Sequence, residues 1–407
     1  MQFEQKELSW LQTLFVPMND ANSTTVQVFV KAGSIYENRK TNGISHFLEH
    51  MFFKWGKKYP TPSEVAIAVE SFGGEFNAYT AEEIASYYVK CPPAHTLKAI
   101  DVIADMMVHA QFPSEELERE KLVVVQEIKM YDDNPQALVS EKRNTWYTGD
   151  NPYGRSILGP EKNVMDFTQA DLFAHQEALY TKDNLILVIA GKIENIQAIE
   201  KAISLVFVEL PITKKWWATP YQRVLPSSQS EFFEKGTEQN HLIISAPTFS
   251  YADDRKYAAK ILATILGGNM SSRLFQNIRE KLGLCYYIGA KHSTASYDGL
   301  FFIRAGIDKE RFDFWLEHIY AEIEKLVSDG ITDDELVNAK SYLTGKLQMG
   351  IESSDEMSEF IGSDILMYGK TKTLDDLMVA YSKVTKEQVN SLLPFLAKDN
   401  LYLYYIK

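Results

Sequence analysis

Short β-prone apolar runs alternate along the chain with longer stretches in which apolar residues recur every three or four positions. The strand-like runs lie at residues 25–31, 86–90, 184–190, 241–246, 300–304 and 401–406. The helical patterns include residues 96–109, 114–128, 254–266 and 332–347. Because sheets and amphipathic helices bury their apolar faces against each other, this mixture predicts an α+β fold.

One predicted helix carries a candidate metal site, since residues 46–50 read His-Phe-Leu-Glu-His. In a helix, His46 and His50 lie one turn apart on the same face, and Glu49 adjoins His50 on that side. Two histidines at this spacing can bind zinc, and the acid between them can serve as a general base, in the inverted order of the commoner His-Glu-x-x-His motif. The alternative is an ordinary amphipathic helix with two partly buried histidines. Residues 41–45 offer polar caps directly before the histidines, and the apolar residues that follow would fix the helix against a core, so this context favours the metal site.

A catalytic zinc usually takes three protein ligands, so a third ligand must come from elsewhere in the chain. The helix predicted after Pro113, at residues 114–128, places Glu120 and Glu127 seven positions apart on one face. The apolar run at 122–125 indicates that this helix is largely buried, and a buried carboxylate needs a metal, a cation or hydrogen-bond donors. The pattern leaves open which acid binds the metal and which holds a ligand in place.

The two halves of the chain can be laid over each other. The helix carrying Glu120 and Glu127 matches residues 332–347, and in that register Ala339 and Lys346 replace the two acids. We therefore predict two homologous domains, each a mainly antiparallel β-sheet covered by α-helices, of which the second has no metal site.

The predicted domain ranges follow from turn-rich residues at the junction. We expect a catalytic zinc-binding domain at residues 1–212, a linker at 213–229, and a homologous non-catalytic domain at 230–407.

Several segments together resemble the inverzincin metallopeptidases, the family of pitrilysin, insulysin and the mitochondrial processing peptidases. The likeness covers nearly the whole chain and is that of a short, two-domain bacterial-type member. Its segments are residues 43–51, 76–80, 120–127, 151–155, 157–159, 271–275 and 278–286. Asn151 stands where many relatives have His, and Gln126 where many have an acid, but neither departure removes a ligand.

The resemblance implies roles for the candidate residues of the first half. His46, His50 and Glu127 would be the ligands of one Zn²⁺ per chain. Glu49 would be the general base, and Glu120 the acid that supports a ligand.

The resemblance also implies a surface that binds peptide substrates, to which the non-catalytic domain at 230–407 contributes residues. An edge strand would pair with an extended peptide through main-chain hydrogen bonds, and its residues are Phe76, Asn77, Ala78 and Tyr79. Tyr286 would donate to the scissile carbonyl oxygen, and Arg279 would hold the substrate backbone. On the residues alone, the alternatives are an ordinary strand, a core aromatic residue and a surface cation.

The number of domains carries an expectation about assembly. Long single-chain relatives have four such domains that form a closed chamber, whereas this chain has two. We expect two chains to enclose peptides or unfolded segments. A homodimer is the simplest arrangement, because the zinc motif and Arg279 and Tyr286 belong to the same chain, and a heterodimer with an inactive paralogue is the alternative.

Composition excludes some classes of protein. The net charge of −13 argues against nonspecific nucleic-acid binding, and no apolar run of the 407 residues reaches the roughly 18 needed to span a membrane. The N-terminal residues match neither a secretory nor a transit signal, so we expect a cytoplasmic protein without a membrane partner.

Cys91 and Cys285 are far apart and predict no disulfide framework. The histidines interpreted as structural or surface residues are His95, His109, His175, His241, His292 and His318.

Two other functions compete with a zinc endopeptidase. A non-catalytic scaffold subunit would keep the fold, but relatives of that kind usually lose ligands and this chain keeps them all. A non-proteolytic zinc hydrolase would share the metal chemistry, and the peptide-binding features disfavour it.

Overall fold

The computed structural model describes residues 3–407 except 55, 150, 213–217, 219, 220 and 284. The strands are β1 (Glu4–Leu8), β2 (Leu11–Pro17), β3 (Thr24–Val30), β4 (Glu75–Thr80), β5 (Ala85–Cys91), β6 (Leu185–Gly191), β7 (Ser230–Phe233), β8 (Gln239–Pro247), β9 (Cys285–Thr294), β10 (Gly299–Asp308) and β11 (Tyr402–Ile406). Part of the predicted linker, at 213–217, 219 and 220, lies outside the described residues, as does Leu284 of the segment 278–286.

Helices make up the rest of the regular structure. They are α1 (Ile44–Phe52), α2 (Pro62–Glu70), α3 (Thr96–Val108), α4 (Ser114–Asp133), α5 (Pro135–Thr148), α6 (Glu161–Asp166), α7 (Gln169–Leu179), α8 (Ile196–Val206), α9 (Lys256–Ala263), α10 (Phe312–Asp329), α11 (Asp333–Met349), α12 (Ser354–Tyr368), α13 (Leu374–Lys383) and α14 (Lys386–Asn390). Two π-helical turns, Thr264–Gly268 and Phe275–Glu280, follow α9.

The first compact unit is built on a six-stranded sheet. Its strand order is β1-β2-β6-β3-β5-β4, and every neighbouring pair is antiparallel except β2 and β6. Apolar side chains of α1, α3 and α8 pack with the strands in one large core. A smaller core on α12 contains Met357, Ile361 and Ile365 together with Phe29 and Val188 of the sheet.

The second compact unit repeats this plan on five strands. The order β7-β11-β8-β10-β9 has the same pattern, with one parallel pair, β7 and β11, followed by antiparallel pairs. In chain order, each unit has helical structure after its central strand, β3 or β8, and before its outermost strand, β4 or β9. The predicted α+β class, with two mainly antiparallel sheets covered by helices, is confirmed.

Each half of the chain gives one helix to the unit built by the other half. The first unit comprises residues 1–130, 151–220 and 350–372, and the second comprises 131–150, 221–349 and 373–407. Helix α5 therefore packs on β8 and β11 through Leu138 and Val139, while α12 packs on β3 and β6. The predicted ranges 1–212 and 230–407 are contiguous and do not contain this exchange. Apolar periodicity shows that a helix has a buried face but not which sheet the face covers.

No helix of the described residues is long and apolar enough to cross a membrane. Both cysteines, Cys91 and Cys285, are buried and free.

Candidate metal centre

A buried carboxylate fixes the start of the helix that carries the two histidines. Helix α1 begins after Gly43, whose φ of 98° lies in the left-handed region that favours glycine. The Glu37 side chain accepts hydrogen bonds from the backbone N–H of Gly43 at 2.9 Å and of Ser45 at 2.8 Å, and from the Asn42 amide at 2.9 Å. These bonds satisfy amides that the helix itself leaves unpaired. Burial nevertheless raises the pKa of Glu37 to about 7, although the hydrogen bonds oppose the shift.

Helices α1 and α4 bring His46, His50 and Glu127 together. The Nε2 atoms of His46 and His50 lie 3.5 and 3.3 Å from the same oxygen of Glu127. One ligand atom from each of the three residues can be chosen so that all lie within 4.8 Å of one another. His46 is buried, and the other two residues are partly buried.

These separations fit zinc. Ligand atoms bound tetrahedrally at 2.0 to 2.1 Å are about 3.4 Å apart, close to both measured separations. Two imidazole nitrogens and one carboxylate are also a known donor set of catalytic zinc, which leaves a coordination position for water. The three side chains could therefore hold a zinc ion with little rearrangement.

Glu120 and Lys54 support the His50 ring. One Glu120 oxygen lies 2.8 Å from His50 Nδ1, and the other accepts from the Lys54 ammonium at 2.9 Å. Glu120 is buried, so these two partners compensate for the loss of its water. Since the contact uses Nδ1, it leaves Nε2 of His50 directed at Glu127 and available to a metal.

Charge in the cluster is distributed by these contacts. Hydrogen bonds from His46 and His50 lower the pKa of Glu127 to about 2. Burial lowers the pKa of His50, but its bonds to Glu120 and Glu127 outweigh burial and raise it to about 9. For Glu120, burial raises the pKa, and the bonds from His50 and Lys54 reverse the shift to a lowered value. Both acids are therefore held ionised, as a cation site requires.

Glu49 is held by an edge strand rather than by the ligand cluster. Its carboxylate accepts a hydrogen bond of 2.6 Å from the Thr80 hydroxyl at the end of β4. Strand β4 pairs with β5 and is the outermost strand of its sheet. The backbone N–H of Ala78, in the same strand, donates to the Asn77 side chain at 2.9 Å. The general-base candidate is thus tied to the strand expected to bind peptide.

Arg279 and Tyr286 belong to the second unit. The Arg279 guanidinium lies over the Phe275 ring, with 4.6 Å from its carbon to the ring centroid. Tyr286 is 74% exposed, so it is not a core aromatic residue of that unit.

Sequence reasoning missed three residues of the site, Glu37, Lys54 and Thr80. Thr80 is 31 residues from Glu49, so only the fold brings the two together. Glu37 is six residues before Gly43, a local contact that lies outside the usual capping positions. Lys54 stands four positions after His50, two residues past the end of α1, and a cation so close to the histidines could have drawn attention to it. The polar residues 41–45 were interpreted as caps, but no side chain there caps the helix.

Two family models match consecutive parts of the chain. Residues 15–161 match the model of the insulinase family, peptidase family M16, and residues 166–343 match that of the M16 inactive domain. The chain belongs to peptidase family M16. The insulinase-family match contains the metal cluster, and the inactive-domain match contains Arg279 and Tyr286.

Bacterial M16 relatives extend over most of the chain. A protein of Bacillus subtilis named as the uncharacterized zinc protease YmxG is 35% identical over 372 residues, which is 91% of this chain and 89% of that protein. An uncharacterized zinc protease of Rickettsia felis is 34% identical, over 93% of this chain and 91% of that protein.

Solved structures share the fold of this chain over its full length. A protease from Helicobacter pylori has a TM-score of 0.90 at 22% identity, covering 100% of this chain and 99% of that chain. A structure from Pseudomonas fluorescens, described as a peptidase M16 inactive domain, has a TM-score of 0.89 at 20% identity, covering 100% and 98%.

Proposed function

We propose that this protein is a zinc-dependent endopeptidase that cleaves peptides or unfolded segments. The observation that carries the proposal is the convergence of His46, His50 and Glu127 beside a carboxylate that is not needed as a ligand, Glu49. Two M16 relatives that are named zinc proteases support the choice of metal and reaction. One zinc ion per chain matches the single cluster of this kind in the described part of the chain.

Zinc in such a site lowers the pKa of water and polarises a carbonyl group. In our proposal Glu49 removes a proton from the attacking water and later gives it to the leaving amine. The Thr80 hydroxyl orients the Glu49 carboxylate, and Glu120 orients His50. Tyr286 donates to the carbonyl oxygen as negative charge develops on it, and Arg279 holds the substrate backbone.

Substrate would bind to β4 as an added strand. Every second residue of an edge strand directs its backbone N–H and C=O away from its partner. The Ala78 N–H donates to a neighbouring side chain, which a peptide carbonyl could replace. Main-chain recognition of this kind along residues 76–79 suits an enzyme that tolerates many sequences.

The proposal includes a dimer in which two chains enclose the substrate. Tyr286 is an exposed aromatic residue, as expected if it serves a site outside its own core. The simplest form is a homodimer in which Arg279 and Tyr286 of one protomer serve the zinc of the other.

The first test compares the wild-type protein with Glu49→Gln on a mixture of unstructured peptides, with fragments read by mass spectrometry. The variant should bind an unchanged amount of zinc and lose about 10²- to 10⁴-fold in turnover, because only proton transfer is removed. A zinc chelator should abolish wild-type cleavage. Glu70→Gln, an exposed acid at the end of α2, is the matched control and should remain active.

Two results would contradict the proposal. Full activity of Glu49→Gln would remove Glu49 as the base. A wild-type protein that binds one equivalent of zinc and cleaves no peptide would favour the scaffold function.

A further inference from the structure

The second unit contains a cavity of about 390 Å³ beside β9, the outermost strand of its sheet. Residues of α9, the Thr264–Gly268 turn, α11 and strands β9 and β10 line it. By element order, α9 and β9 correspond to α1 and β4 of the first unit. The cavity therefore lies where the metal centre lies in the first copy of the repeat.

The charges of this cavity are all positive. Lys260, Lys291 and Arg304 line it, and none of its lining residues is an Asp or Glu. None of the three cations forms an ion pair with the residues that the structure describes. This local excess of positive charge is opposite in sign to the net charge of the chain, which is −13.

Two of the three cations, Lys291 and Arg304, belong to the sheet, and the third, Lys260, belongs to helix α9. Arg304 pairs with Gly289 in the β9–β10 register, so no side chain of β9 covers it, and Lys291 pairs with Phe302 on the same face. Lys260 is half-buried on α9, where burial and the charge of Lys291 lower its pKa. A bound anion would relieve this repulsion and reverse the shift.

We propose that this cavity binds carboxylate groups of an extended peptide, and so gives the enzyme a preference for acidic substrates. The inference rests on the proposed peptidase function. The volume is in the range that accepts a molecule much larger than one inorganic anion. The same walls contain Ile288, Ala290 and Leu343, which suit the apolar side chains between acidic ones.

Binding to the Glu49→Gln protein tests the proposal without requiring cleavage. The probes are a fluorescent unstructured peptide with two Glu residues, its counterpart with Gln at both positions, and each peptide with a free or an amidated C-terminus. We expect the Glu peptide to bind at least about fivefold more tightly than the Gln peptide, because the charged groups meet unpaired cations. Two further proteins are made in the Glu49→Gln background. One carries both Lys291→Gln and Arg304→Gln, and the other carries Lys260→Met. Each should remove most of that preference without changing the affinity for the Gln peptide.

Lys325→Gln is the matched control, since it removes an exposed cation from α10 that does not line the cavity. The preference for Glu over Gln should survive amidation of the C-terminus, because it comes from side-chain carboxylates. An affinity that amidation lowers equally in both peptides would overturn the proposal in favour of a site for the terminal carboxylate. Equal affinity for the Glu and Gln peptides would overturn the proposal, as would loss of preference in Lys325→Gln alone. If inorganic phosphate displaced the fluorescent Glu peptide at a lower concentration than the unlabelled Glu peptide does, the proposal would be overturned in favour of a small-anion site. All these outcomes are independent of whether the wild-type protein cleaves peptides.

Discussion

Thr80 is the residue through which the edge strand holds the candidate base. Its hydroxyl donates to Glu49 at 2.6 Å, and a hydrogen bond to a charged group contributes about 1.5 to 3 kcal/mol. Thr80→Val keeps the shape of the side chain and removes the donor. We expect kcat to fall about tenfold, with zinc content and KM nearly unchanged, because the base is present but no longer oriented.

Steady-state kinetics on one peptide, with metal analysis of the same samples, measures this effect. Thr80→Ser retains the hydroxyl and should keep most of the activity. A Thr80→Val enzyme with unchanged kcat would show that Glu49 needs no help from β4.

Glu37 gives the first unit a pH dependence that can be isolated. Its pKa rises from an ordinary 4.5 to about 7 because the side chain is buried. Between these values the folded protein keeps a proton that the unfolded chain has released. The contribution of Glu37 to stability is therefore largest below about pH 4.5, decreases as pH rises through this window by up to about 3 kcal/mol, and is constant above it.

The measurement is the free energy of unfolding of wild-type and Glu37→Gln protein between pH 5 and 8, with chelator present so that zinc loading does not vary. The wild type should lose stability relative to the variant as the pH rises to 7. The exposed Glu70→Gln variant should give a flat difference. A wild-type protein that gains stability relative to Glu37→Gln over this range would refute the raised pKa.

Residue spacing predicted part of this site because the chemistry is local there. His46, Glu49 and His50 lie on one helix, so periodicity alone places them on one side. Glu120 and Glu127 could be placed on one face of another helix, but their division of roles required the resemblance. Thr80 could not be given its role, because only the folded sheet brings it to Glu49. Glu37 lies close to α1 in sequence but precedes the usual capping positions, so the capping pattern did not identify it.

At the scale of elements, α12 meets the first sheet at a glycine. A Cβ atom added to Gly362 would lie 2.2 Å from Cε2 of Phe29, whose side chain is fully buried. Gly362→Ala should therefore separate α12 from β3 and cost about 1 to 3 kcal/mol. Because α12 comes from the other half of the chain, the change should also loosen the N-terminal sheet.

Gly345 provides a control of opposite sign. It lies in α11 and a Cβ atom there would meet no other atom within 4 Å. Gly345→Ala should stabilise the protein by about 0.5 to 1 kcal/mol, since alanine restricts the unfolded chain and favours helix. Thermal unfolding of both variants measures the difference, and a stabilising Gly362→Ala would contradict the close contact.

The exchange of α5 and α12 between the two halves of the chain could not be predicted from sequence periodicity. Strand and helix patterns predicted the α+β class and the repeat, because alternation and 3.6-residue spacing are local properties. The sheet that receives each helix depends on contacts between residues distant in sequence. Leu138 and Val139 show this, since they lie in the first half of the chain but pack against Ile243 and Tyr404.

At the scale of the whole molecule, the residues proposed for one reaction lie in different units of the chain. The zinc cluster belongs to the first unit, and Arg279 and Tyr286 to the second. If protomers exchange these contributions in a homodimer, Glu49→Gln and Tyr286→Phe should each be inactive alone but should complement each other. In a mixed dimer, the intact Glu49 of one chain would meet the intact Tyr286 of the other.

Co-expression with two affinity tags isolates the mixed dimer and tests this prediction. Random pairing makes half of the dimers mixed, and one of the two sites in each is complete, so the unfractionated mixture should recover about a quarter of wild-type activity. The purified mixed dimer should recover about half. Two copies of the same variant, carrying both tags, provide the control and should stay inactive. If Tyr286 instead serves the zinc of its own chain, no mixture contains a complete site and activity stays absent. A wild-type monomer with full activity in sedimentation would exclude the shared site altogether.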